Sequence, residues 1–327
     1  SMERLLITLI LVCTMSNITN AQNPFYGQYH TPHGTVPFDR IETEHYEPAI
    51  LEGIKLQNAE IEAIIQNPEK ADFSNTIEAF EESGELLDKV VAVFGNMLSA
   101  ETNDDLQELA QKIMPLLSEH SNNITLNEKL FARVKEVYNQ KETLQLTQEQ
   151  KQLLENAYNS FVRHGANLEG EAREEYRRLT NELSKLTLTF SENNLKETNA
   201  YQMLLTKKES LAGLPEIIIE AAAETAKSEE KEGWAFTLHA PSYVPFMTYS
   251  DNRDLRQKLY MAYNTKCTHD NEFNNIDIVK NIANTRMKIA QLLGYKDYAE
   301  YTLKKRMAEN SESVYKPVSY THLRAHE

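Results

Sequence analysis

Cysteine is nearly missing, with only Cys13 and Cys267 among 327 residues. A disulfide framework is therefore excluded as the source of stability, and an apolar core must hold the fold. Basic residues are also few, 34 against 49 acidic side chains, for a formal net charge of −15. Phosphate backbones and anionic headgroups attract proteins through Lys and Arg, so nucleic acid and acidic membranes are poor partners for such a surface. The acidity itself reads as an ordinary solvated exterior. No Gly-rich phosphate loop occurs, and Ser, His and Asp show no nucleophile spacing. What is present suffices for one large domain or two smaller ones, since 41% of the residues are apolar.

Leu5 to Cys13 is an almost uninterrupted apolar run, followed by polar Ser16 to Asn20 and then Ala21. It falls short of the roughly 20 residues that span a bilayer. The order fits the h-region and small-residue cleavage site of an export signal, so residues 1–21 are expected to be removed near Ala21 and the protein to be exported, to the periplasm. Arg4 is the single cation ahead of the run and Glu3 offsets it, which makes a weak n-region. Lipid attachment at Cys13 is the second reading, although Val12 is bulkier than the usual neighbour. The mature chain then keeps only Cys267, forms no internal disulfide and inserts stably into no membrane. Ser1, ahead of Met2, reads as extraneous.

Asn23 to Asp39 mixes Pro and Gly with Tyr26, Tyr29 and Phe38, predicting an extended segment laid across a helical body. Tyr46, Ile50, Ile54, Ile61 and Ile65 then fall at helical spacing, on a helix ending around Asn67 and Pro68. A second helix is expected from Asn75, with Glu78 completing a capping-box pattern and a stripe of Ile77, Phe80, Leu87, Val91, Phe94 and Leu98. Asn103 opens a segment through His120 with a kink expected at Pro115. Asn127 starts another, and Thr147 with Gln150 makes a further capping box ahead of Leu153, Leu154 and Tyr158. The longest helix is expected over about Glu171 to Thr206, with Tyr176, Leu179, Leu183, Leu186 and Phe190 as the seam of a hairpin or bundle.

After Leu211 the pattern changes. Leu214 and Pro215 begin a short alanine-rich helix, and a charged run from Lys227 leads through Gly233 into Trp234 to Leu238. That composition predicts a strand, broken by Pro241 and Pro245, so a short β segment is expected near 234–249. Helices resume over Asp251 to Tyr263, Asn274 to Leu293 and Asp297 to Glu309. The fold class is mainly α, with long helices in an elongated array.

The stretch Gly233-Trp-Ala-Phe-Thr-Leu-His-Ala-Pro-Ser-Tyr-Val-Pro-Phe-Met-Thr-Tyr-Ser250 resembles a segment of the thimet-oligopeptidase-like zinc metallopeptidases. Arg253-Asp-Leu-Arg256, Leu259-Tyr-Met-Ala-Tyr263, Ala290-Gln-Leu-Leu-Gly-Tyr295 and Met307-Ala308 continue the likeness in the family's order. Asn23-Pro24-Phe25, Pro37-Phe38-Asp39, Asn75-Thr76-Ile77, Phe161-Val162-Arg163 and Leu183-Ser184-Lys185-Leu186 are similar to the bacterial peptidyl-dipeptidase branch (dipeptidyl carboxypeptidase, oligopeptidase A). The resemblance runs from Asn23 to Lys316 and implies the N-terminal part of a two-lobed helical peptidase, whose channel admits short unfolded peptides. It implies division into an N-terminal helical region, 22–232, and the start of a catalytic lobe, 233–316. It also implies one zinc ion held by a His-Glu-x-x-His helix and a later glutamate, with dipeptides released from peptide C-termini. Histidines four residues apart share a helix face and can both reach one ion, while the intervening Glu takes a proton from metal-bound water.

None of the nine histidines begins a His-Glu-x-x-His, and the His326-Glu327 pair stands at the last residues. Helical periodicity is expected to fail at Pro317, and 317–327 reads as a non-native tail, which discounts the i, i+4 pair His322 and His326. His30 and His33 sit in a Pro/Gly loop without an evident third ligand. His120, His164, His239 and His269 are dispersed. Tyr243, Phe246 and Tyr249 offer either peptide-channel walls or plain packing. No catalytic or metal-binding residue is therefore assigned, and no zinc is expected on this chain alone. A non-catalytic helical module that binds peptides or partners is the alternative.

Overall fold

The computed structural model describes residues 23–324, with side chains through 317. The expected signal segment, Cys13, His322 as a side chain and the His326-Glu327 pair lie outside that range. The chain divides into two compact units, one running to Ser184 and resuming at Met287, the other Lys185–Arg286. Mainly α architecture is observed, with one two-stranded sheet among the described residues.

The first unit begins with an extended strap. Asn23 folds back so that its side-chain amide donates to the His45 carbonyl at 2.9 Å and its Oδ1 accepts from the Phe25 N–H. This seats the Phe25 ring, fully buried, against Tyr46 at 5.4 Å. Helix α1, Thr43–Gln66, buries Tyr46, Ala49, Ile50, Gly53, Ile61 and Ile64 on one face. Its first turn is closed by a reciprocal Glu42 and His45 box. Gly53 is required there: a Cβ at this position would lie 2.9 Å from the Leu87 backbone, so only glycine lets α1 meet α2, Glu85–Ala100, this closely.

Between these helices, Phe73–Glu78 forms a π-helical turn that continues as α-helix to Glu81. The expected cap at Asn75 is corrected to Asp72. The Asp72 carboxylate accepts from the Asn75 N–H at 2.7 Å, and Asn75 Oδ1 accepts in return from the Asp72 N–H. The expected continuous helix also breaks at Gly84, whose N–H donates to Glu60 at 2.7 Å.

Helices α3, Asp104–Thr125, α4, Glu128–Asn139, and α5, Gln148–Arg163, start at Asn103, Asn127 and Thr147 as expected, each side chain accepting an N–H three residues on. Helix α3 continues past Pro115 and His120 to Thr125. Their interior joins Ile61, Ile64, Ile77, Leu130, Phe131, Val134, Leu154 and Phe161. Phe161 meets Phe80 at 5.3 Å and Phe131 at 5.8 Å, and Tyr138 stacks on Tyr158 at 3.8 Å. Helix α6, Gly170–Ala200, packs Tyr176 and Leu179 against Leu126 and Ile289. Its expected seam thins toward its C-terminal end, where Phe190 is 38% exposed.

In the second unit, α6 ends at Ala200 instead of Thr206, because Met203–Leu205 is strand β1. It pairs antiparallel with β2, Trp234–Phe236, in the register Met203 to Phe236 and Leu205 to Trp234. Helix α7, Glu216–Ser228, connects them. The short β segment expected near 234–249 holds only for its first three residues. Ala240–Tyr249 is helix α8, since Pro241 falls in the first turn, where the N–H has no helical partner, and Pro245 removes a single bond. Helix α9, Arg253–Asn264, follows from an Asn252 cap. Met203, Leu205, Leu211, Leu214, Phe236, Leu238, Phe246 and Leu259 form this unit's core.

Helix α10, Ile276–Leu292, begins in the second unit; α11, Tyr298–Leu303, and α12, Ser311–Arg324, complete the chain. The backbone stays helical through Pro317, where periodicity was expected to fail.

Candidate functional site

The segments that carry the family resemblance serve first as framework. Arg163 at the end of α5 donates to the Tyr301 carbonyl at 2.9 Å and lies 4.1 Å over its ring, while the Tyr301 hydroxyl donates back to the Arg163 carbonyl. Arg256 donates to the Ser250 carbonyl, fixing the turn between α8 and α9. At Gly213 the backbone is left-handed, and a Cβ would lie 2.2 Å from the Tyr249 carbonyl oxygen. The Asp251 N–H donates to the Ala212 carbonyl beside it. These contacts give residues of the matching segments structural roles.

The three aromatic candidates separate. Phe246 is fully buried against Phe236 at 4.7 Å, which is packing. Tyr243 stacks on Tyr263 at 4.1 Å, and the Lys266 ammonium lies 4.4 Å from the Tyr263 ring. Tyr249 is 52% exposed. Burial raises the Tyr243 pKa, with Tyr263 and Tyr260 nearby adding to the effect.

The described histidines do not converge. His120 hydrogen-bonds Gln57 Oε1 at 2.7 Å, and burial lowers its pKa. His164 bonds the Ser160 carbonyl at 2.7 Å; His239 bridges Thr237 and Asn199; His269 bonds the Thr265 hydroxyl. His33 lies in a left-handed turn of the strap, and no third ligand joins it or His30. Among the described residues, no group of three His, Cys, Asp or Glu side chains could hold a metal ion. The described donors therefore do not fit a zinc site of two histidines and a glutamate. Cys267 is buried and left-handed, its N–H held by the Glu197 carboxylate; burial, then Glu197, pushes its thiol pKa up to about 11. A thiol in that state is a poor nucleophile.

One feature escaped the sequence, because it depends on which residues meet across helices. The strap, α1 and α2 enclose a cleft of about 560 Å³ lined by Phe25, Tyr26, Glu52, Leu56, Glu85 and Lys89 among others.

With this geometry in place, comparison with known proteins fixes the class. The profile of Peptidase family M3 matches residues 246–325. The chain belongs to that family, the thimet-oligopeptidase-like metallopeptidases. Within it, the chain is 35% identical over 293 residues to a dipeptidyl carboxypeptidase of Escherichia coli, covering 89% of this chain and 43% of that protein. It is 30% identical over 296 residues to an oligopeptidase A of Salmonella typhimurium, again covering 89% and 43%. A probable cytosolic oligopeptidase A of Arabidopsis thaliana is 28% identical over 303 residues, covering 90% and 42%. The chain thus spans less than half the length of the curated relatives it matches.

Proposed function

We propose that this chain is the N-terminal portion of a zinc metallopeptidase that hydrolyses short peptides and releases dipeptides from their C-termini. The observation that supports it most is the near-complete coverage of this chain, 89%, against 43% of a dipeptidyl carboxypeptidase. Zinc and the groups that activate water belong, on this reading, to sequence the 327 residues do not include. The chain alone is accordingly inactive, and contributes a helical framework held by pairs such as Arg163 with Tyr301. Its expected export signal supports a periplasmic location. Among the described residues, no helix is long and apolar enough to cross a membrane.

The test begins with the reading frame past the Lys316 codon, expected to continue into a His-Glu-x-x-His helix. The polypeptide it encodes is incubated with N-terminally blocked peptides of five to ten residues, and products are identified by mass spectrometry. Successive C-terminal dipeptides are the expected products. Single amino acids or internal cuts alone would overturn the dipeptide mode, and absence of any hydrolysis would overturn the peptidase reading.

A further inference from the structure

The cleft under the strap has a specific construction. Contact of α1 and α2 at Gly53 and Leu87 brings their flanking residues together as two walls, Glu52 and Leu56 on one, Glu85, Leu86 and Lys89 on the other. Phe25, Tyr26, Gly27 and Gln28 of the strap close the third side. Leu56 is 42% exposed, an apolar side chain turned toward the opening instead of the core.

The charges are unevenly committed. Lys89 donates to the carbonyls of Phe25 at 3.1 Å and Gly27 at 2.7 Å, and its ammonium lies 4.0 Å from the Tyr29 ring centroid. Its charge is held by the strap and also lies within electrostatic reach of Glu85. Among the described residues Glu52 has the solvent-exposed Lys55 as its ion-pair partner, at 3.1 Å, and Glu85 is exposed with no ion pair of its own. Two carboxylates against one ammonium, over an apolar floor, complement a long side chain with an aliphatic or aromatic body and a cationic end.

We propose that this cleft is a subsite for a basic side chain, arginine or lysine, of a short peptide. The inference rests on the reading of the protein as one that handles short peptides, and adds a preference that reading does not contain. Arginine's planar guanidinium presents a fork of donors suited to carboxylates such as Glu52 and Glu85, whereas a glutamate-bearing peptide meets repulsion from both.

The experiment measures binding of acetyl-Phe-Arg-amide and acetyl-Phe-Glu-amide to the intact chain by isothermal titration calorimetry. Saturable one-to-one binding of the arginine peptide alone is expected. In the E52Q/E85Q double variant, shown to fold by an unchanged circular-dichroism melt, affinity should fall about five- to tenfold, as expected for two partly exposed ion pairs. Leu56→Ser provides a second variant, expected to weaken binding through the floor without touching charge. Equal binding of both peptides, no binding of either, or unchanged affinity in both variants would overturn the subsite. Because the readout is binding, its failure is distinguishable from failure of the peptidase reading: dipeptide release by the longer polypeptide can stand while the subsite falls, and the reverse.

Discussion

The unit that contains Phe161 and the unit that contains Phe236 reach stability by different means. In the first, burial is spread over several helices, of which α1, α3, α4 and α5 carry side-chain caps, and Ile77, Leu130 and Leu154 lie in one shared core. In the second, two three-residue strands and short helices close around one small core, with backbone approaches that admit no side chain at Gly213. The first, although α1 and α2 also meet closely at Gly53, depends mainly on buried volume, and the second mainly on backbone shape. Large aromatic deletions should matter most in one, and a single added methyl group in the other.

Phe161→Ala tests the first half of that contrast and carries the largest expected effect. Removing a fully buried ring that touches Phe80 and Phe131 should cost about 3–5 kcal/mol, read as a lower urea midpoint by circular dichroism. A loss below about 1 kcal/mol would show that this core is not tightly packed. Gly213→Ala comes next, at about 2 kcal/mol or more, because the left-handed backbone penalises a Cβ that also collides with the Tyr249 carbonyl. The single tryptophan, Trp234, lies in the strand of that unit and reports the change by fluorescence. An unaltered emission midpoint would dissolve the contrast between the units.

Asn127→Ala removes the side chain that accepts the Leu130 N–H at 3.0 Å, and should cost about 1 kcal/mol. The smallest effect concerns pH. Burial lowers the folded-state pKa of His120 below its ordinary value of 6.5, so the unfolded chain binds this proton more readily. His120's contribution is therefore complete above about pH 6.5 and is lost as pH falls through 6.5 toward the lower folded value. His120→Asn should flatten the dependence of the urea midpoint on pH across that interval, and a slope equal to wild type would remove the assignment.

Legibility in the sequence followed the same division. The first unit was open to inspection because its helices carry period-3.6 stripes and side-chain caps: Asn103, Asn127 and Thr147 start helices where their residue types require. It misled at Asn75, where Asp72 and Asn75, three residues apart, can both cap and Asp72 wins by closing a reciprocal box. The second unit was harder, since Pro241 and Pro245 look like breakers but fall where a helix tolerates them. Strand Met203–Leu205 hid at the end of a long helical pattern, although its buried, exposed, buried alternation is the period-2 signal. The family likeness was carried by residues such as Arg163 and Arg256, whose roles emerge as backbone anchors. The cleft beneath the strap could not be read in advance, because Gly53 and Leu87 meet only in three dimensions.

The most direct measurement is the metal content of the purified 327-residue chain after equilibration with buffered zinc, assayed alongside peptide hydrolysis. Zinc far below one equivalent, with no dipeptide released, is the predicted result. One tightly held ion per chain together with turnover would contradict the account, since among the described residues no three ligand side chains come together.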